Sequence, residues 1–259
     1  MTTNYDAIAE QYKRSKLTPW RRYIEQYTFF EMLGDVRGLS VLDLACGEGF
    51  YARLLKLRGA ARVVGIDLSA EMIRLARRAE ADDPLGVEYV TGDAIGFRSA
   101  ETFDVVTAAY LLNYAESEEA LAAMCRTIAA ALTPGGRFVT VNNNPSQSME
   151  HFETTRSCGF IKSLAEHSLS WLSPSGGRTL ESGATITYTV FLENGETFHF
   201  DNYYLSVEAH ERALTAAGFG EIEWVQPMLS PDCGSAPAAW NALLVDSPIV
   251  FLRCRRIAD

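Results

Sequence analysis

The amino-acid pattern predicts an α/β fold: a doubly wound, mostly parallel sheet of seven strands, preceded by a helical cap and interrupted after the fifth strand by an inserted β-hairpin lid. Three observations carry this. From Ser40 onward, short runs rich in β-branched residues alternate with helical patterns. A glycine turn, Gly47-Glu48-Gly49, joins the first strand to the first helix of that series. The rhythm then breaks once, over residues 143–205, before a last helix and two strands complete it.

The elements follow in order. Residues 1–36 read as the helical cap, with Thr18 as N-cap, Pro19 at the first helical position and Trp20, Tyr23, Ile24, Tyr27 and Phe30 at helical spacing as far as Gly34. SVLDLA leads into a helix from Phe50 to Leu57, and RVVGID into a helix capped by Ser69. VEYV and FDVVTAA are followed by a helix after Ser117, which carries Glu118 and Glu119 where the helix dipole favours acid. GRFVTVN is the fifth strand. Inside the insertion, ATITYTVFLE and ETFHFDNYYL flank Asn194-Gly195, a signal for a two-residue hairpin turn. Counted from that turn, Leu192 pairs with Thr197, Val190 with His199, Tyr188 with Asp201 and Ile186 with Tyr203 on one face, which mixes aromatic and titratable groups. A Ser/Pro/Gly loop spans Ser173 to Gly177. A helix from Val207 to Ala217, then EIEWV and IVFLRC, close a single domain of residues 1–259.

Composition limits the function. The formal net charge of -10 gives no electrostatic footprint for nucleic acid or anionic lipid. No apolar run is long enough to cross a membrane, and the N-terminus lacks an apolar signal core. The five cysteines are scattered and show no C-x-x-C pair, so reduced thiols in a cytoplasm are expected. The four histidines, His151, His167, His199 and His210, have no metal spacing, and His210 is expected on a helix surface; no metal is implied. The expected partner is a small molecule, with the chain a monomer or homodimer.

The chemistry concentrates at strand ends. Gly47 and Gly49 let the backbone turn sharply and approach a ligand, and they also satisfy the loose dinucleotide pattern G-x-G-x-x-A. Asp43 and Glu48 would repel a pyrophosphate, whereas an acidic mouth suits a cationic amino-acid moiety. Asp67 ends the second strand, where a carboxylate can hold two ribose hydroxyls. Asp93 ends the third, where it would meet an adenine amino group. These neighbours favour S-adenosylmethionine, with S-adenosylhomocysteine as product, over a nicotinamide dinucleotide.

The strand ends resemble the class I, Rossmann-like methyltransferases, and Tyr5-Asp6-x-x-Ala9-x-x-Tyr12 resembles an N-terminal motif of their small-molecule members. SKLTPWRRYIEQYT, LACGEGFYARLLK, AAYLLNYA and PGGRFVTVN further resemble the toxoflavin synthase type of bacterial small-molecule N-methyltransferase in secondary metabolism, over more than half the chain. The resemblance implies that Ala45, Cys46 and Gly47 border the methionine moiety. It places Asp67 at the ribose, Leu68 and Met72 at the adenine, Asp93 and Ala94 at its edge, and Ala109 and Tyr110 at the sulfonium side. Tyr12 would close over the donor. Ala45 stands where the family often has glycine.

On the acceptor side, Tyr23, Tyr114, Asn142 and Tyr188 are candidates, and His199 and Tyr203 are candidate proton acceptors if the acceptor carries a ring N–H or phenol. The expected reaction is methyl transfer to a ring or amine nitrogen of a heteroaromatic metabolite. O- or C-methylation, a nicotinamide-dependent oxidoreductase and a non-catalytic nucleoside-binding protein are the competing readings, although no Tyr-x-x-x-Lys pair supports hydride transfer.

Overall fold

Alternation along each strand builds a two-sided core. The computed structural model of the chain describes residues 4–99, 101–164 and 180–258, together with the backbone of 169, 170 and 179. Seven strands form the main sheet: β1 (Ser40–Leu44), β2 (Arg62–Asp67), β3 (Val87–Thr91), β4 (Phe103–Ala109), β5 (Leu132–Asn143), β11 (Phe219–Val225) and β12 (Ile249–Arg256). Their order is β11-β12-β5-β4-β1-β2-β3, and every pairing is parallel except the two made by β12. Val41, Val63, Val105, Val141 and Phe251 face one buried cluster, whereas Leu42, Val64, Val106, Phe138 and Leu252 face the other. The first cluster is covered by the N-terminal helices with α3 (Phe50–Leu57) and α4 (Ala70–Asp82), the second by α5 (Glu118–Ala131) and α6 (Val207–Ala216). Ser69, Ser117 and Ser206 cap α4, α5 and α6 by accepting from the amides of Met72, Ala120 and Ala209. Strand order reverses between β1 and β4, which opens a crevice at their carboxyl ends.

The N-terminal cap contains α1 (Ala9–Ser15) and a helix over residues 19–33 that ends as α2 (Tyr27–Leu33). Thr18 does not cap it; its hydroxyl turns back to the Ser15 carbonyl at 3.3 Å. Over Arg21–Gln26 the helix widens to π geometry, which changes the periodicity and buries the adjacent Ile24 and Glu25 together. Tyr23 is thereby set against Trp240, with centroids 6.2 Å apart, away from the crevice.

Between β5 and α6 lies a smaller antiparallel sheet in the order β10-β9-β6, made of β6 (Phe160–Leu164), β9 (Thr185–Phe191) and β10 (Thr197–Tyr203). A backbone pair, β7 (Leu169–Ser170) with β8 (Thr179–Leu180), accompanies it. The expected Ser173 to Gly177 loop and His167 fall outside the described residues. The hairpin forms, but its register differs from the expected one. Leu192 and Glu196 close a three-residue loop in which Gly195 has φ of 83°, so Tyr188 pairs with Phe200 and His199 with Thr189. The one-residue slip reverses one strand relative to the other: Ile186, Tyr188, Val190, Phe198, Phe200 and Asn202 face inward, whereas His199 and Asp201 share the outer face with Tyr203.

Lys162, on β6 of this sheet, is buried and among the described residues has no carboxylate partner in hydrogen-bond range. Its ammonium donates to Gln147 Oε1 at 2.7 Å and the Pro248 carbonyl at 3.0 Å, and burial pulls its pKa down to about 7. The unfolded chain holds that proton up to the ordinary lysine range, so the folding cost of charging Lys162 is complete below pH 7 and fades as pH rises toward 10. In urea unfolding, wild type is expected to gain on Lys162→Met by about 1 kcal/mol or more between pH 7 and pH 10. A pH-independent difference would refute that account.

Candidate active site

The crevice holds two adjoining cavities. The smaller, about 170 Å³, lies over the carboxyl ends of β1, β2 and β4 and is lined by all twelve residues expected at the cofactor, from Tyr12 and Asp43 to Ala109 and Tyr110. The sequence reading missed Tyr5, Lys16, Glu25 and Tyr51, which line it too. The glycine turn is held by side chains beneath and beside it. Asp67 accepts from the Gly47 amide at 2.8 Å and the Ser69 amide at 2.9 Å, while the Tyr89 ring lies where a Cβ on Gly49 would stand. Ala45 has φ of 55°, a conformation glycine adopts without strain.

Asp43 is buried and accepts from Thr107 Oγ1 at 2.8 Å through one oxygen, while its other oxygen has no hydrogen-bond partner in range among the described residues. Burial pushes its pKa up to about 7. An unpartnered buried carboxylate oxygen in an acidic cavity is the chemistry that a cationic ligand satisfies. Asp93 is more exposed, with one oxygen accepting from the Ile95 amide at 2.9 Å. Lys16 pairs with Glu48 at 3.0 Å and sits beside Gly47.

The N-terminal segment roofs this cavity. Asp6 accepts from Ser69 Oγ at 2.5 Å and from the Glu71 amide at 3.1 Å, which docks the segment on the N-terminus of α4 and holds the Asp6 carboxyl below the usual range. Ala9 packs against Met72 and Leu75. Tyr5 meets Tyr12 edge to face at 5.3 Å, and its hydroxyl bonds that of Tyr114.

The larger cavity, about 370 Å³, lies between the cap and the inner face of the small sheet. Tyr12, Tyr110 and Tyr114 line both cavities and so form the partition between them. Glu25 fixes that partition: its buried carboxylate accepts from Tyr51 at 2.8 Å and from Tyr110 and Arg21 at 2.5 Å each. Tyr110 itself is held at φ of 65°. The other walls are aromatic, with Tyr188 and Phe200 stacked at 5.1 Å and 7°, and Trp20 and Phe160 beside them.

Of the acceptor-side candidates, Tyr114 and Tyr188 line the larger cavity. Tyr23 does not, because it stacks on Trp240. Asn142 points to the opposite face of β5, where its amide donates to Thr140 Oγ1; period-two alternation gives the cavity position to Asn143 instead. His199 is exposed and bonded to Thr189 Oγ1 at 2.9 Å, and Tyr203 lies on the same outer face, so neither candidate proton acceptor reaches the cavity. His210 is buried against Trp224 and does not lie on the surface. Among the described residues no cluster of three or more His, Cys, Asp or Glu is placed to hold a metal, and no helix is long and apolar enough to cross a membrane.

Residues 41–136 match the model of a family described as a methyltransferase domain. Over 182 residues the chain is 24% identical to the N-demethylindolmycin N-methyltransferase of Streptomyces griseus, covering 70% of each protein. It is 32% identical over 115 residues to the ubiquinone biosynthesis O-methyltransferase of Stutzerimonas stutzeri, covering 43% of this chain and 48% of the relative, about half its length. A solved S-adenosylmethionine-dependent methyltransferase from Mesorhizobium loti superposes with a TM-score of 0.61 at 25% identity, over 90% of this chain and 97% of that one. Fold and strand-end site together define a class I methyltransferase. The chain is an S-adenosylmethionine-dependent enzyme of that class.

Two measurements check the site. Binding a cation next to Asp43 requires its carboxylate to be charged, so affinity for S-adenosylmethionine should fall as pH drops below about 7. Isothermal titration should show that Asp43→Asn weakens binding by about tenfold at pH 8 and flattens that pH profile. Removing the Glu25 carboxylate strands the buried Tyr51 hydroxyl and takes a partner from the half-buried Tyr110 and Arg21, so Glu25→Ala should lower unfolding free energy by about 3 kcal/mol in urea titration.

Proposed function

We propose that the enzyme methylates a small, planar aromatic acceptor at a ring or amine nitrogen. The observation that carries this reading is the aromatic cavity that meets the cofactor cavity across Tyr12, Tyr110 and Tyr114. Its volume suits a small ring system, and the stacked pair Tyr188 and Phe200 offers parallel aromatic faces.

In this reading the residues lining the smaller cavity divide the cofactor among them: Asp67 would accept from the ribose hydroxyls, Leu68 and Met72 would flank the adenine and Asp93 would meet its amino group, while Asp43 would face the cationic amino-acid end and Lys16, beside Gly47, its carboxylate. The bound cofactor supplies an electrophilic methyl group on a sulfonium. The protein's share is then to align an acceptor lone pair and exclude water, for which the Tyr5, Tyr12 and Tyr114 roof is suited. Among the described residues lining the larger cavity there is no histidine, lysine or aspartate, Arg21 is tied to Glu25, and Glu193 is exposed at the hairpin turn. An acceptor proton therefore leaves to solvent, in a mechanism of proximity without a dedicated buried base.

The similarity to the indolmycin enzyme favours nitrogen and an antibiotic-type secondary metabolite, since it extends over 70% of the chain. The similarity to the ubiquinone enzyme covers only 43% and leaves oxygen methylation as the second reading. The test is parallel calorimetric titration with S-adenosylmethionine, S-adenosylhomocysteine and NAD, followed by turnover of planar heterocycles with a methyl-deuterated donor. Binding of the adenosyl ligands alone and mass-spectrometric transfer of the label to nitrogen is the expected result. Label confined to oxygen would replace this reading with the second one.

A further inference from the structure

The larger cavity contains a hydrogen-bond chain whose direction is fixed by the backbone. The Asn202 amide nitrogen donates to the Asp201 carbonyl at 3.0 Å, which sets which end of that side chain is oxygen. Asn202 Oδ1 then accepts from Asn143 Nδ2 at 3.0 Å, and Asn143 Oδ1 accepts from the Tyr188 hydroxyl at 2.6 Å. Asn202 is buried and further engaged by Tyr114. Asn143 is half-buried, lines the cavity, and keeps one N–H and one oxygen lone pair without a partner in the described protein.

A primary amide with one free donor and one free acceptor side by side is complementary to a ring edge bearing the same two functions in opposite order. The two functions cannot exchange places, because flipping the Asn143 amide would set its oxygen against Asn202 Oδ1, whose orientation the Asp201 carbonyl fixes. Tyr188, stacked on Phe200, presents an aromatic face next to that edge. Resting on the planar-acceptor reading above, we propose that Asn143 is the specificity-determining residue of the acceptor cavity. It reads a cyclic amide, an N–H beside a C=O, on the edge of the ring system.

The probes are 2-quinolone and quinoline, bicycles of similar size, of which only the first carries the amide edge. With enzyme saturated by S-adenosylhomocysteine, calorimetry is expected to give 2-quinolone about tenfold or more tighter binding than quinoline. Asn143→Leu should abolish the difference while leaving affinity for S-adenosylhomocysteine unchanged, which also reports that the variant folds. If that variant does not fold, Asn143→Ser serves for the same comparison. Equal binding of the two rings to wild type, or a preference that survives in the folded variant, overturns the assignment of Asn143. Failure of both rings to bind the cofactor-loaded enzyme overturns the planar-acceptor reading together with it. Failure of wild type to bind S-adenosylhomocysteine overturns the cofactor site instead.

Discussion

The architecture of the site depends on one buried carboxylate. Glu25 comes from the helical cap, yet the hydroxyls it accepts from belong to Tyr51 on α3 and Tyr110 at the end of β4, so it ties the cap to the sheet at the crevice. Burying that charge alone would be prohibitive; Arg21, four residues earlier on the same π-widened turn, neutralises it, and the two phenols fill further lone pairs. The strain of a tyrosine at φ of 65° is tolerable because the surrounding bonds over-determine its position. What the network secures is a wall: Tyr110 lines both cavities, and in the proposed reading a methyl group passing between them passes beside it.

Around that wall the electrostatics divide by cavity. Asp43, Asp67, Asp93 and Glu25 all line the cofactor side, with Lys16 as the opposing charge, so the space is acidic even though Asp43 is driven toward neutrality by burial. A cation entering it recovers the ionised form and the interaction energy that burial withholds. The acceptor side is different. Among the described lining residues, Arg21 is already paired with Glu25, Arg14 and Glu193 lie exposed, and the inner polar groups Asn143 and Tyr188 join Asn202 in a neutral amide and phenol chain, so recognition in this reading rests on shape, stacking and hydrogen-bond direction.

The division also explains what could be read from the chain. Cofactor residues follow strand ends within a few positions of a glycine or a serine cap, and these are local signals: Ser69 and Ser117 cap where expected, and α3 runs from Phe50 to Leu57 as the pattern predicts. The acceptor wall is built from residues far apart in sequence. Nothing near Glu25 announces Tyr51 or Tyr110 as partners, and the π-widened turn changes the helical period, which sends Tyr23 outward and Glu25 inward.

Two errors of a single residue had the largest consequences, for one physical reason. A strand's side chains alternate with period two, so assigning the acceptor cavity to Asn142 instead of Asn143 chose the wrong face of the sheet. In the hairpin, Asn194-Gly195 signals a turn but not its length. The added residue in the loop turns His199 to solvent and pairs Tyr188 with Phe200. The same parity places Tyr188, Phe200 and Asn202 on one face, opposite Asn143. A change of loop length by one residue would remove the aromatic face and the Asn202 contact together. On the proposed reading, the hairpin turn sets acceptor recognition through register, without itself having to touch the acceptor.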